Sequence, residues 1–243
     1  MNRFKPGEFR ITKKAMDQWK LPKGAAVLDI GCGLGETMEY LQQEYEYICS
    51  GIDLSLERVR EAKERNPELK IQYGDGEFLD AFPSYSFDGV TMECVLSVIN
   101  IPDEALHEAY CVLKKGGRLF LSDLYIKNPE PGFIQALKIE AARQSQKPHG
   151  EHECSTDCEE EHKNRLVPFR SSGRFLIEPM IEQLKEIGYH NIKWEDCDEE
   201  LVRYVAEKIM EDGSLEGCLC EEALHPKDQY KTGYFMLTAE KPL

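Results

Sequence analysis

The sequence predicts an open α/β fold built on a parallel sheet covered on both faces. Three observations predict it. Short apolar runs alternate along the first half of the chain with amphipathic stretches of about ten residues, the pattern of βαβ units. The first apolar run ends in a glycine-rich turn that opens a helix. The chain has 243 residues, of which 41% are apolar and 31% charged, so it is long and apolar enough to bury a core.

The elements follow in order. Ala25–Ile30 is a buried-type strand that runs into glycines, and Gly35–Gln43 is helical. Tyr47–Asp53 is a second strand. Ser55–Arg65 is a helix, with Ser55 at its N-cap and Pro67 beyond its end. Ile71–Asp75 and Phe87–Cys94 are the third and fourth strands. Pro102–Leu113 is a helix stopped by Lys114-Lys115-Gly116-Gly117, cations in the last turn and then glycine. Gly117–Tyr125 is a fifth strand. The second half is less regular. Helices are expected at Gly132–Gln144, Glu178–Ile187 (stopped by Gly188) and Leu201–Met210, and strands at His190–Cys197 and Tyr234–Lys241. The whole reads as a single domain over 1–243, with insertions at 126–172 and 198–232 that would form a cap on the substrate side.

Composition excludes several classes. Thirty Lys and Arg stand against 45 Asp and Glu, a formal charge of −15, which opposes binding to a phosphate backbone. No stretch approaches the roughly 18–20 apolar residues that span a bilayer. The amino terminus has no apolar core behind its charges, so no secretory signal is expected. Nine cysteines, an odd number, then point to free thiols in a reducing compartment, the cytoplasm. The sequence leaves monomer and homodimer open.

The most informative segment is Val27–Gly35, VLDIGCGLG. A strand end followed by G-x-G-x-G lets backbone approach a ligand with no Cβ in the way. The dinucleotide fingerprint is G-x-G-x-x-G, with a helix N-terminus facing a pyrophosphate. Here Glu36 takes the position of the third glycine, and a carboxylate there opposes a pyrophosphate. The turn therefore suits a nucleoside without phosphates and disfavours a nicotinamide oxidoreductase. Asp53 ends the second strand and can accept from both ribose hydroxyls; Asp75, in Gly74-Asp75-Gly76, can accept from an adenine amino group. Alone, Asp53 reads equally as a cap for the next helix, and Asp75 reads first as a turn residue. The order and spacing of the three carry the argument.

VLDIGCGLG, GIDLS, GDGEFLDAFPSYSFDGV and LKKGGRLFLSDLY together resemble a class I S-adenosylmethionine-dependent methyltransferase, of the methyltransferase-11 group with UbiE-like and arsenite methyltransferase-like members. The resemblance is close over about residues 20–125 and loose beyond. It implies a Rossmann-like seven-stranded, mostly parallel sheet of order 3-2-1-4-5-7-6 with the last strand antiparallel, and transfer of a methyl group from S-adenosyl-L-methionine. It places Asp29, Gly31 and Gly33 along the methionine portion, with Cys32 as loop packing beside them. Asp53 would take the ribose, Leu54 would pack on adenine, and Asp75 with Gly76 would meet the adenine edge. Glu93 and Cys94 would lie beside the sulfonium. The leader Lys5–Gly24 resembles the segment that closes over the cofactor. Methyl transfer is an in-line displacement at a carbon the sulfonium already activates, so no base is required unless the acceptor arrives protonated. No residue stands out as a base. Acceptor-side candidates are Cys94, Asp123 and Tyr125. The acceptor is expected to be a small molecule.

The segment His149–His162 raises a metal. His152, Cys154, Cys158 and His162 form His-x-Cys-x3-Cys-x3-His, within the range of zinc sites, and Cys218-Leu219-Cys220 could join them. The bland alternative is a solvated acidic lid. Zinc or another soft metal is thus a second cofactor expectation, and a metal-binding protein that keeps a cofactor pocket without turnover is a rival function. Cys94 also falls where the arsenite methyltransferase branch carries a cysteine. The two further cysteines of that branch are missing, since 1–31 and 126–148 contain none.

Overall fold

A computed structural model describes residues 5–145, 167–214 and 230–243. The metal candidates His152, Cys154, Cys158 and His162, and the Cys218/Cys220 pair, lie outside the described residues. The elements in chain order are α1 (Arg10–Trp19), β1 (Ala26–Ile30), α2 (Glu36–Tyr45), β2 (Ile48–Asp53), α3 (Leu56–Arg65), β3 (Ile71–Tyr73), β4 (Phe87–Glu93), α4 (Pro102–Val112), β5 (Leu113–Ile126), α5 (Pro131–Ser145), β6 (Arg170–Ser171), β7 (Arg174–Phe175), α6 (Ile177–Ile187), β8 (His190–Asp196), α7 (Asp198–Asp212) and β9 (Thr232–Glu240).

The nine described strands share one sheet. Its main path runs β3-β2-β1-β4-β5 in parallel, then β9 and β8. β9 is antiparallel to both β5 and β8. Counted over those seven long strands, this is the order 3-2-1-4-5-7-6 with the last strand reversed. The hairpin β6–β7 joins β5 through Tyr125↔Phe175, beyond the Glu93↔Ser122 pair where β4 ends. It therefore extends the sheet past the carboxyl end of β4. Its turn residues Ser172 and Gly173 both have positive φ, as a two-residue hairpin of matching twist requires.

Side-chain alternation with period two divides the core into two layers. Leu28 and Ile30 of β1, Leu119 and Leu121 of β5, and Phe235 and Leu237 of β9 pack on one face against α4 and α6. Val27, Phe120, Tyr234 and Met236 pack on the other against α1, α2, α3 and α7. In α1 the buried set Ile11, Ala15, Met16 and Trp19 follows helical spacing, so the leader lays an apolar stripe on the sheet. Its outer edge is fastened by ion pairs: Arg10 to Glu200 at 2.6 Å, and Lys14 to Glu195. Ser55 caps α3, its hydroxyl accepting from the Arg58 N–H. Gly188 ends α6 in the left-handed region.

One boundary differs from expectation. α4 ends at Val112, and Leu113 is already extended and paired with Phe87, so Lys114 and Lys115 belong to β5. The cation serving the end of the helix comes instead from the far end of the chain. Lys241 donates to the carbonyls of Tyr110 at 2.6 Å and Leu113 at 2.8 Å, and lies over the rings of Tyr85 and Tyr110. Among the described residues no helix is long and apolar enough to cross a membrane.

The leader docks where β4 offers no side chain. A Cβ at Gly89 would lie 2.5 Å from Cζ3 of the buried Trp19 ring. Gly89→Ala should therefore cost about 1–3 kcal/mol, the usual range for overpacking a core. Urea unfolding followed by tryptophan fluorescence checks this: a lowered midpoint is expected, and an unchanged one would show that the leader yields without cost.

Candidate active site

The carboxyl ends of β1, β2 and β3 meet at one edge. After β1 the chain makes the turn Gly31–Gly35, in which Gly31, Gly33 and Gly35 all have positive φ. The Gly31 and Cys32 N–H groups both donate to the Ile52 carbonyl, at 2.8 and 3.0 Å. Asp53, buried at the end of β2, joins the neighbouring strand ends through its carboxylate. One oxygen accepts the Gly33 N–H at 2.8 Å and the other the Ser55 N–H at 2.8 Å. A carboxylate has about four acceptor sites, so Asp53 keeps capacity for further donors. Its own carbonyl accepts the Gly74 N–H at 3.2 Å, which brings the Gly74-Asp75-Gly76 loop alongside. Asp75 accepts the Glu77 N–H at 2.9 Å and fixes that loop as a local turn. At Gly33 a Cβ would meet nothing within 4 Å, so the turn presents open backbone outward.

Cys32 is buried in the core with Met38 and Cys49, and burial pushes its thiol pKa up, so it packs rather than reacts. Leu54 is 57% exposed at the rim, with Tyr73, Phe78 and Val98 comparably exposed. Gly76 is buried, its backbone beside Ile30 and Ile99.

Below the glycine turn lies an acidic layer. Burial raises the Asp29 carboxyl to about 7, offset in part by the hydrogen bond it accepts from Thr91 at 2.7 Å and increased by the charge of Glu93. Glu93, at the end of β4, accepts from three side chains: Lys5 Nζ at 2.5 Å, Thr12 at 2.9 Å and Thr37 at 3.2 Å. Lys5 also donates to Thr37 at 2.8 Å. The leader, the start of α2 and the end of β4 are thus locked through one nearly buried ion pair, with side-chain exposures of 13% and 5%. Glu36, at the start of α2, is partly buried, and burial raises its pKa despite the nearby Arg65.

The acceptor-side candidates separate. Asp123 is buried, its pKa raised by burial to about 6, and its oxygens accept the N–H groups of Ser97 and Leu124 at 2.9 and 2.8 Å. It organises the segment after β4. Cys94 has φ +54 and its sulfur sits 2.9 Å from the Tyr234 hydroxyl, which reaches Ser122 at 3.0 Å. Burial pushes the Cys94 thiol pKa well up. Tyr125 donates to Asp196 at 2.6 Å and packs edge-on against Trp194 and Phe235, so its partners lie on β8 and β9 rather than on the glycine turn.

Sequence reasoning did not single out Lys5, Thr12, Thr37, Glu77 or Arg170. Glu77 is buried and accepts the Ile101 N–H at 3.0 Å, tying the Asp75 loop to the start of α4. Arg170, from β6, donates to the carbonyls of Ile99 and, at 2.9 Å, Asn100, and so holds the segment after β4 from above. None of these has a local signal, because the partners that fix them, Glu93, Ile101, Ile99 and Asn100, are remote in sequence. Removing one member of a buried ion pair is worth about 3–5 kcal/mol. Glu93→Gln should therefore release the leader and speed tryptic cleavage at Lys13 or Lys14 by roughly 100-fold. Limited proteolysis measures it, and equal rates would mean that the apolar stripe alone holds α1.

Comparison with known proteins agrees with this geometry. Residues 28–121 match the family described as "Methyltransferase domain". The 2-methyl-6-phytyl-1,4-hydroquinone methyltransferase of Synechocystis sp. is 36% identical over 118 residues, 45% of this chain and 36% of that protein. The 27-O-demethylrifamycin SV methyltransferase of Amycolatopsis mediterranei is 30% identical over 135 residues, 52% of this chain and 48% of that one. The chain thus spans between a third and a half of the length of these curated relatives. Among solved structures, a Haemonchus contortus phosphoethanolamine N-methyltransferase 2 in complex with phosphomonomethylethanolamine and S-adenosylhomocysteine superposes with a TM-score of 0.68 at 19% identity, covering 100% of this chain and 55% of that one. Residues 28–121, with the glycine turn inside them, thus match a methyltransferase domain, and the strand order described above is the one the sequence resemblance implied.

Proposed function

We propose that the chain transfers a methyl group from S-adenosyl-L-methionine to a small-molecule acceptor in the cytoplasm, working as one domain over 1–243 with 126–172 and 198–232 capping the acceptor side. The observation that carries the reading is Asp53, whose carboxylate ties the open glycine turn of β1 to the end of β2 while keeping free acceptor capacity. When bound, S-adenosyl-L-methionine supplies a carbon activated by its sulfonium. The chain supplies position and surroundings, and orientation alone can lower a barrier by about 7–11 kcal/mol. Asp53 would accept the ribose hydroxyls, Asp75 with Gly76 would meet the adenine edge, and Leu54 would cover the ring. Asp29, Gly31, Gly33 and Glu93 would face the methionyl portion.

The local charge discriminates between cofactors. Asp29, Asp53, Asp75, Glu77 and Glu93 cluster at the strand ends, with Glu36 at the start of α2. That surrounding favours a cationic ligand and opposes the pyrophosphate of a dinucleotide. The exposed rim of Leu54, Tyr73, Phe78 and Val98 suits an uncharged or cationic acceptor with an apolar body. The acidic balance makes nucleic acid a poor acceptor. Arsenite at Cys94 is not favoured: the thiolate is the metalloid ligand, whereas this thiol is buried, held protonated and committed to Tyr234.

Asp53→Ala should weaken S-adenosylhomocysteine binding by about 10–100-fold, as expected for losing hydrogen bonds to a charged acceptor. Calorimetry measures it, with NAD as control; unchanged affinity for the variant, or tight NAD binding by the native chain, would end the reading. A second outcome concerns pH. Because burial raises the Asp29 carboxyl to about 7, the folded chain keeps that proton longer than the unfolded chain. The stability it contributes is full below about pH 4 and is lost as pH rises toward 7. A cationic cofactor prefers the ionised form, so its affinity should rise through the same upper range. Asp29→Asn should stabilise the ligand-free chain at pH 8 by roughly 1–3 kcal/mol, while flattening and lowering cofactor affinity. Thermal melts and calorimetry across pH test both; an unaltered pH profile in the variant would assign the titration elsewhere.

A further inference from the structure

α4 carries a donor cluster that the cofactor site does not employ. His107 Nδ1 and Cys111 Sγ lie 3.8 Å apart, one turn from each other. The Glu108 carboxylate completes a set in which one donor atom from each of the three residues lies within 4.8 Å of the others. His107 is exposed and the other two are partly buried, so solvent reaches the cluster. We propose that His107, Glu108 and Cys111 form a binding site for a borderline-soft divalent cation of the zinc type, on the outer face of α4 and separate from the strand-end site.

Geometry, charge and preorganisation each support it. A tetrahedral ion with Zn–N about 2.0 Å and Zn–S about 2.3 Å places nitrogen and sulfur roughly 3.6 Å apart, close to the separation already present. Thiolate, carboxylate and neutral imidazole together carry two negative charges, matching a divalent cation, and water fills the fourth position of a three-ligand site. Glu108 is held in place: one oxygen accepts the Leu79 N–H at 2.7 Å, leaving the other to the ion. Binding exchanges the thiol proton of Cys111 for the metal–sulfur bond and releases that proton to solvent. The charged groups facing Cys111 are Glu104, Glu108 and Lys241. Lys241 already donates to the Tyr110 and Leu113 carbonyls between two tyrosine rings, so its charge is partly spent there.

The test is alkylation of Cys111 by iodoacetamide in the full chain, with and without zinc, read by peptide mass spectrometry so that the other cysteines do not interfere. Zinc at saturation should slow Cys111 modification by about tenfold or more, because the metal-bound thiolate is no longer free to react. His107→Gln, a change at an exposed position, should weaken zinc affinity at this site by at least 10–100-fold, the range already seen for lost outer-shell partners, and restore the rate at the same zinc concentration. A rate indifferent to zinc in the native chain, or protection that survives intact in His107→Gln, overturns the proposal. The outcome is independent of cofactor binding and so of the methyltransferase reading.

Discussion

The organisation of this molecule depends on how one carboxylate satisfies backbone amides that the fold leaves unpaired. A strand that turns sharply into a helix exposes N–H groups with no partner in its own element. Asp53 takes one of them, from Gly33, and holds the Ser55 N–H at the start of the next helix with its other oxygen. The Ile52 carbonyl beside it takes two more, from Gly31 and Cys32. The end of β2 therefore shapes the turn of β1, and parallel pairing of β2 with β3 carries the same edge on to Asp75. Because those amides are satisfied from the neighbouring strand, the outer side of Gly33 stays open.

Charge is distributed unevenly around that edge. Carboxylates gather at the ends of β1 to β4, and the cations beside them arrive from other elements, Lys5 from the leader and Arg170 from the β6–β7 hairpin. Both work by hydrogen bonding to fixed oxygens, Lys5 to Glu93 and two threonines, Arg170 to the carbonyls of Ile99 and Asn100. Burial does the rest, raising Asp29 and Asp123 toward neutrality. Four of the five described cysteines, Cys32, Cys49, Cys94 and Cys197, behave as small apolar side chains around the same core, each with its thiol pKa raised by burial.

Much of this was legible in the sequence, for a physical reason. Val27–Gly35, Gly51–Asp53 and Gly74–Gly76 are local signals, in which strand periodicity, a turn and an acceptor follow each other within a few residues. Strand order and the reversed last strand came from the family resemblance and are matched by β9 and β8. What escaped depends on partners far apart along the chain. Nothing near Lys5 announces Glu93, eighty-eight residues on. Lys114 and Lys115 look like a helix terminus until Lys241 is seen to occupy that role from the opposite end of the chain. The β6–β7 hairpin has two-residue strands, too short to show a period.

The amino-terminal helix is secured along two seams of different character. Its inner seam is apolar burial and the shielded Lys5–Glu93 contact. Its outer seam is solvent-facing pairing of Arg10 with Glu200 on α7 and Lys14 with Glu195 on β8. Exposed pairs fade within a Debye length of about 8 Å at physiological ionic strength, whereas buried ones are little screened. Added electrolyte thus weakens the outer seam and spares the inner one, which makes the coupling between the leader and α7 a property that the surrounding medium can tune.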